Sequence, residues 1–261
     1  MACHKITQSS IKKFLTCRKA YRHRYIDELV REGLPSLNLA FGTFIHECLE
    51  LWFNGESKES IIARVAETSA FTMYKAKGDE ARVKALAMMT TYCDLYPRDK
   101  DPFNVIGTEI EFSTPLYNPD TETESEDITF AGKVDGLVER NGKYWILEHK
   151  TSGYVSDSYI KKVWYDAQIQ LYAYYFGKAN DIEIEGAVYD VLGKSQLKHK
   201  KDESLEGLLA RVLKQYDEKT LFIREFIPIE AEIIHKRLQD TWVQGQDMLL
   251  VAEEEKAAYR N

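Results

Sequence analysis

The sequence predicts an α/β fold, a central mixed β-sheet flanked by helices with a mainly helical region ahead of it. Three observations carry this. Apolar residues recur at helical spacing through about residue 100, runs from residue 104 alternate in the β manner, and helical and strand-like segments then take turns to the end. A chain of 261 residues, 44% hydrophobic, is large enough for one substantial core. The expected organisation is therefore a single unit, 1–261, helical over 1–100 and holding the α/β core and a terminal helix over 101–261.

Ser9 and Ser10 are candidate caps for a first helix in which Ile11, Phe14, Leu15, Tyr21 and Tyr25 recur at helical spacing. Gly33 and Pro35 break it. A second helix carries the apolar stripe Ile45, Leu49, Trp52 and Phe53, and helical patterns follow at about 58–76 and 79–95. After Pro97 and Pro102, NVIGTEIEFSTPL alternates as a strand, and the acidic NPDTETESED reads as an exposed loop. DITFAGKVDGLVER and KYWILEHK are strand-like runs separated by Asn141-Gly142, the pair of residues most suited to a two-residue hairpin turn. A helix at about 158–177, a strand near EGAVYDVL, a polar loop with KHKK, a helix from about 203, the strand LFIREFIPI and a long helix complete the chain.

No apolar run is long enough to span a bilayer, and the first residues lack a secretory pattern, so a cytoplasmic protein is expected, acting in a host cytoplasm if phage-encoded. Cys3, Cys17, Cys48 and Cys93 are too scattered for a zinc knuckle or a disulfide framework. The formal net charge is −7, which argues against a nucleic-acid partner. The signs are segregated, however: Lys5, Lys12, Lys13, Arg18, Lys19, Arg22, Arg24 and Arg31 crowd the N-terminal segment, giving either a nucleic-acid-facing surface or a solvated helix face.

If Asn141-Gly142 makes the turn, Arg140 faces Lys143, Val138 faces Trp145 and Asp135 faces Glu148. Two acids directly opposite repel unless something neutralises them, and a divalent cation would. Strand alternation puts Lys150 on the face of Glu148, while His149 points away and leaves its backbone carbonyl near the site. The acid-x-lysine spacing alone is weak, since it recurs at Glu56-Lys58, Asp217-Lys219 and Glu254-Lys256. Only Glu148-Lys150 combines it with a strand and an acid opposite.

GKVDG, ILEHKTS and QIQLYAYY, preceded by GTFIHECLE, together resemble the PD-(D/E)XK nuclease superfamily, in particular its RecB-like exonuclease branch, which includes CRISPR-associated exonucleases. The resemblance spans roughly residues 9 to 176. It implies a restriction-endonuclease-like core and a metal-dependent deoxyribonuclease acting on single-stranded DNA or DNA ends, in recombination, repair, phage or CRISPR-related processing. Asp135 and Glu148 would hold Mg²⁺ or Mn²⁺, with His46 and the His149 carbonyl as further ligands. Lys150 would orient the attacking water and offset charge on the phosphate. Gln168 and Tyr172 would support the site and contact the nucleic-acid backbone, and Glu109 is a candidate second-metal or water-mediated partner. Phe14, Tyr21 and Tyr25 could stack on unpaired bases or pack in the core. A helicase or recombination protein is the kind of partner such an enzyme would have.

The sequence departs from that branch in one respect: Cys17 sits where the first ligand of an iron–sulfur cluster would be, and no cysteine follows Cys93. Either this is a cluster-free member or a C-terminal segment is missing, and no cluster is expected in this chain. The rival functions are a structure-specific endonuclease on duplex DNA and a non-catalytic DNA-binding module of the same fold.

Overall fold

The computed structural model describes residues 3–30, 32–219 and 221–258; Arg31, one of the basic residues counted above, lies outside them. The chain opens with a short strand, β1 (His4–Ile6), and then α1 (Gln8–Thr16). Thr7 caps α1 one turn earlier than Ser9 and Ser10 suggest. Its hydroxyl accepts from the Ser10 amide at 3.1 Å, while its own amide donates to Ser10 Oγ at 2.8 Å.

The expected continuous first helix breaks at Cys17, whose extended backbone separates α1 from α2 (Arg18–Tyr21) and a π-helical turn at Arg22–Ile26. The break lets the aromatic residues fold inward. Phe14 and Tyr21 are buried edge to face at 5.2 Å, and Tyr25 stacks on Tyr21 at 5.5 Å. Phe14 and Tyr21 are thus core residues, closed to bases; Tyr25 alone of the three stays partly exposed.

Helices α3 (Leu37–Phe53), α4 (Lys58–Glu67) and α5 (Ala76–Leu95) complete the helical half. The pattern expected to run to residue 76 stops at Glu67, because the chain must turn through Phe71 before α5. Gly78 makes that turn possible, since a Cβ there would lie 2.0 Å from the Phe71 carbonyl oxygen.

Five further strands form the sheet: β2 (Asn104–Asn118), β3 (Thr123–Arg140), β4 (Lys143–Ser152), β5 (Ile184–Gly193) and β6 (Phe222–Pro228). The acidic stretch expected as a loop is mostly strand, pairing Tyr117 with Glu124 and Asn118 with Thr123 around a tight turn. Its polar residues are solvated on both sides, so no apolar alternation marked it. The helix expected at about 158–177 is two, α6 (Asp157–Val163) and α7 (Ala167–Asn180), because Asp166 caps α7 by accepting from the Gln168 amide at 2.9 Å. α8 (Leu205–Glu218) precedes β6, and α9 (Ala231–Ala258) follows it.

The sheet is mixed. β3 pairs antiparallel with β2 along most of its length. On its other edge β1 runs parallel beside Ile128–Phe130 and β4 antiparallel beside Gly136–Arg140. β4–β5 is parallel and β5–β6 antiparallel. Trp145 and Leu147 join the core under α3, α5 and α8, whereas Ile146 joins the core under α1, α7 and α9. This alternation buries both faces, the arrangement of a three-layer α/β unit. Among the described residues no helix is long and apolar enough to cross a membrane.

Candidate active site

Asn141 and Gly142 have φ of 55° and 77°, both left-handed as a type I′ turn requires. The turn fixes the register: Arg140 pairs with Lys143, Val138 with Trp145 and Gly136 with Leu147. The ladder ends there, one pair short of Asp135 and Glu148. Beyond that point the backbone ladder stops, and the side chain of Asp135 takes up the His149 amide instead.

Asp135 is fixed there. Its Oδ2 accepts from the His149 amide at 2.7 Å, and its Oδ1 lies 3.4 Å from His46 Nδ1 on α3. On its other side, the pairs Thr108–Gly136 and Ile110–Val134 place Glu109 of β2 opposite Asp135. Glu109, Asp135 and Glu148 therefore form a row across three strands. Glu109 takes a left-handed backbone (φ 51°), a conformation costing a non-glycine residue about 1–3 kcal/mol and concentrated at functional positions. His46, Glu109 and Asp135 each offer a ligand atom, all within 4.8 Å of one another.

Each outer acid carries a lysine from two residues along a neighbouring or shared strand. Lys133 pairs with Glu109, and Lys150 pairs with Glu148. Gln168 of α7 ties the second pair together, its Nε2 donating to Glu148 Oε1 at 2.7 Å and its Oε1 accepting from Lys150 Nζ at 3.5 Å. The carboxylate of Glu148 is thus turned onto Lys150 and Gln168 rather than into the His46–Glu109–Asp135 group.

The electrostatics differ along the row. Burial pushes Glu148 up to about 7 despite the nearby Lys150 ammonium, with the Asp135 charge adding to the rise. Asp135 goes the other way: burial would raise it, but the contact with His46 and the charges of His149 and His46 bring it down to about 2. Burial alone would depress the His46 imidazole, and Asp135 more than reverses this. Lys150, which burial would also depress, is pushed up to about 12 by Glu148 and stays charged.

His46, Asp135, Glu148, Lys150 and Gln168 are all brought together. Tyr172, one turn further along α7, packs its ring edge-on to Phe112 at 5.2 Å and over Gly132, where a Cβ would come within 2.9 Å of it. Burial, then the Glu148 charge, pushes its hydroxyl up to about 12. The His149 ring does point away, stacking on Phe53 at 5.3 Å with Nδ1 3.4 Å from Asp190 Oδ2. Its amide, not singled out in the sequence, is what fixes Asp135. Also unforeseen is a second buried cluster around Arg224 and Asp190; the signal was Asp190, the lone charge of the apolar run VYDVL, which demands a partner.

The family model of the PD-(D/E)XK nuclease superfamily matches residues 5–246. This chain belongs to that superfamily. Its six-stranded mixed sheet flanked by helices is the restriction-endonuclease-like PD-(D/E)XK fold. A "putative exonuclease" of Eubacterium rectale shares the fold, with 14% identity and a TM-score of 0.50 over 97% of this chain and 82% of its own. The solved structure of SSO0001 aligns over 90% of this chain and 84% of its own at 15% identity, with a TM-score of only 0.33. No curated protein matches the chain. Superfamily members use divalent metals, and a histidine nitrogen beside two carboxylates is a donor set that fits such an ion.

Proposed function

We propose that the chain is a metal-dependent DNA exonuclease of the RecB-like branch, hydrolysing phosphodiester bonds in single-stranded DNA or at DNA ends. The observation that carries this is the group of His46, Glu109 and Asp135 gathered at the end of the β3–β4 ladder, beside the Glu148–Lys150 pair. His46, Glu109 and Asp135 would hold Mg²⁺ or Mn²⁺, with Glu148 and the His149 carbonyl as further donors. A nitrogen ligand among oxygens suits Mn²⁺ at least as well as Mg²⁺. When bound, the ion polarises the scissile phosphate and acidifies a water molecule.

The chain's own residues do the rest. Lys150 keeps its proton, so it serves as a donor to the attacking water or to the phosphate oxygens rather than as a base. Gln168 holds both members of the Glu148–Lys150 pair, which limits their rotamers and aims the ammonium. The Asp135 carboxylate stays ionised across the working range of pH and needs no proton removed. In-line attack would leave a 5′ phosphate and a 3′ hydroxyl.

The test is a time course on 5′- and 3′-labelled single strands, circular single strands and duplex DNA with each metal. Degradation of linear but not circular strands is the expected result. Cutting of circles would make the chain an endonuclease. The enzymatic reading fails if neither Mg²⁺ nor Mn²⁺ supports degradation, or if Lys150→Ala degrades the strands as the parent does.

A further inference from the structure

A cavity of about 530 Å³ adjoins the carboxylate row, lined among others by Lys5 of β1, Ser9 of α1, Glu111 of β2, Lys133 of β3 and Tyr172 of α7. We propose that it seats an unpaired nucleotide of the substrate strand next to the bond being cut, with the backbone phosphate drawn to Lys5 and Lys133. This rests on the nuclease reading above and adds where the unpaired strand is held and which residues hold it.

Position supports it first. Glu111 and Lys133 are cross-strand partners two residues from Glu109 and Asp135, so the cavity begins about 7 Å from the cation group along the same two strands. One strand of nucleic acid can occupy both. Two residues join the spaces: Lys133 lines the cavity while pairing with Glu109, and Tyr172 walls it while lying within the field of Glu148, Lys150 and Asp135. The volume falls in the ordinary range for small-ligand sites, about 300–1,000 Å³.

Charge supports it next. Among the described residues Lys5 forms no ion pair, so the fold itself asks for no cation on β1. Glu111 is the single acid of the lining and opposes the two lysines. Hydroxyls of Ser9 and Ser113 offer neutral donors to phosphate oxygens, and Phe112 with Tyr172 gives an apolar wall for sugar or base.

The experiment measures binding of a fluorescent single-stranded dodecamer, and of the same sequence as duplex, by anisotropy without divalent metal across a salt series. Lys5→Gln, at an exposed position, should weaken single-strand binding about fivefold. It should lower the slope of log affinity against log salt by about 0.7, one phosphate contact on a single strand. Glu111→Gln should tighten binding. The proposal is overturned if Lys5→Gln leaves affinity and slope unchanged, if Glu111→Gln weakens binding, or if only the duplex responds. Because no cleavage is involved, a parent that binds in this way but never degrades DNA would sink the nuclease reading while leaving the cavity assignment standing.

Discussion

Two clusters of buried charge lie on either side of His149, and they are built with different cations. Behind the sheet edge, Arg224 grips Asp190 with two contacts, Nε to Oδ1 at 2.5 Å and Nη2 to Oδ2 at 2.8 Å. The same guanidinium donates to Asp101 at 2.5 Å and to the Tyr92 hydroxyl at 3.0 Å, and Tyr92 donates in turn to Asp190 at 2.6 Å. Its flat face lies 3.9 Å from the Tyr96 ring centre. In front, the carboxylate row has lysines and a histidine instead. A guanidinium is a rigid fork that stays where it is put, whereas an ammonium is a compact charge on a flexible stem that can be exchanged. The contrast separates a cluster that serves the fold from one that leaves room for a cation and a phosphate.

The largest effect should come from breaking the exchangeable cluster without disturbing the fold. Glu148→Gln keeps the shape that Gln168 packs against but removes the charge. Degradation of end-labelled single strands should fall about 10²–10³-fold. Comparable cleavage would contradict the assignment.

Arg224→Met should do the reverse. Leaving Asp190 buried without its fork costs about 3–5 kcal/mol, read from the midpoint of urea unfolding. Near-parental stability would mean that this cluster is not structural.

Two acids of the front cluster respond to pH in opposite ways. Glu148 has a folded pKa of about 7, above its ordinary 4.5, so folding favours its protonated form. Its contribution is full below about pH 4.5 and is lost as pH rises through about 7. Asp135, held at about 2, contributes above about pH 4 and loses that only in strong acid, so it is constant across the same window. The metal-free parent should therefore lose stability between pH 4.5 and 7 relative to Glu148→Gln, and Mn²⁺ should restore it most at the upper end. Parallel melting curves for the two proteins over that range, without metal, would remove Glu148 from the account.

Much of this front cluster was legible because it is local. The turn at Asn141-Gly142 sets the register of β4 against β3, and strand alternation then places Lys150 beside Glu148. His46 came from a motif rather than from geometry, since no local rule brings α3 to Asp135. The rear cluster spans α5, β5 and β6, with Tyr92 separated from Arg224 by 132 residues. No spacing pattern encodes such a contact. The broken first helix was missed for a related reason: helical periodicity continues across Cys17, and only the demand to bury Phe14 and Tyr21 against His4 and the sheet bends the chain there.

The smallest effect tests whether the two clusters are separate at all. Tyr92→Phe removes one hydroxyl from the rear cluster, leaving Arg224 and Asp190 still paired through two contacts. The hydroxyl bonds both Asp190 and Arg224, and its loss, partly offset because those two keep each other, should cost about 1.5–3 kcal/mol in urea unfolding. Asp190 also faces His149 at 3.4 Å, and the His149 amide holds Asp135, so a disturbance at Tyr92 has a short path to the front. If the guanidinium alone fixes Asp190, the apparent affinity for Mn²⁺ measured by calorimetry will match the parent. A weaker Mn²⁺ affinity in a fully folded Tyr92→Phe would instead show that the fold cluster also sets the position of the acids it stands behind.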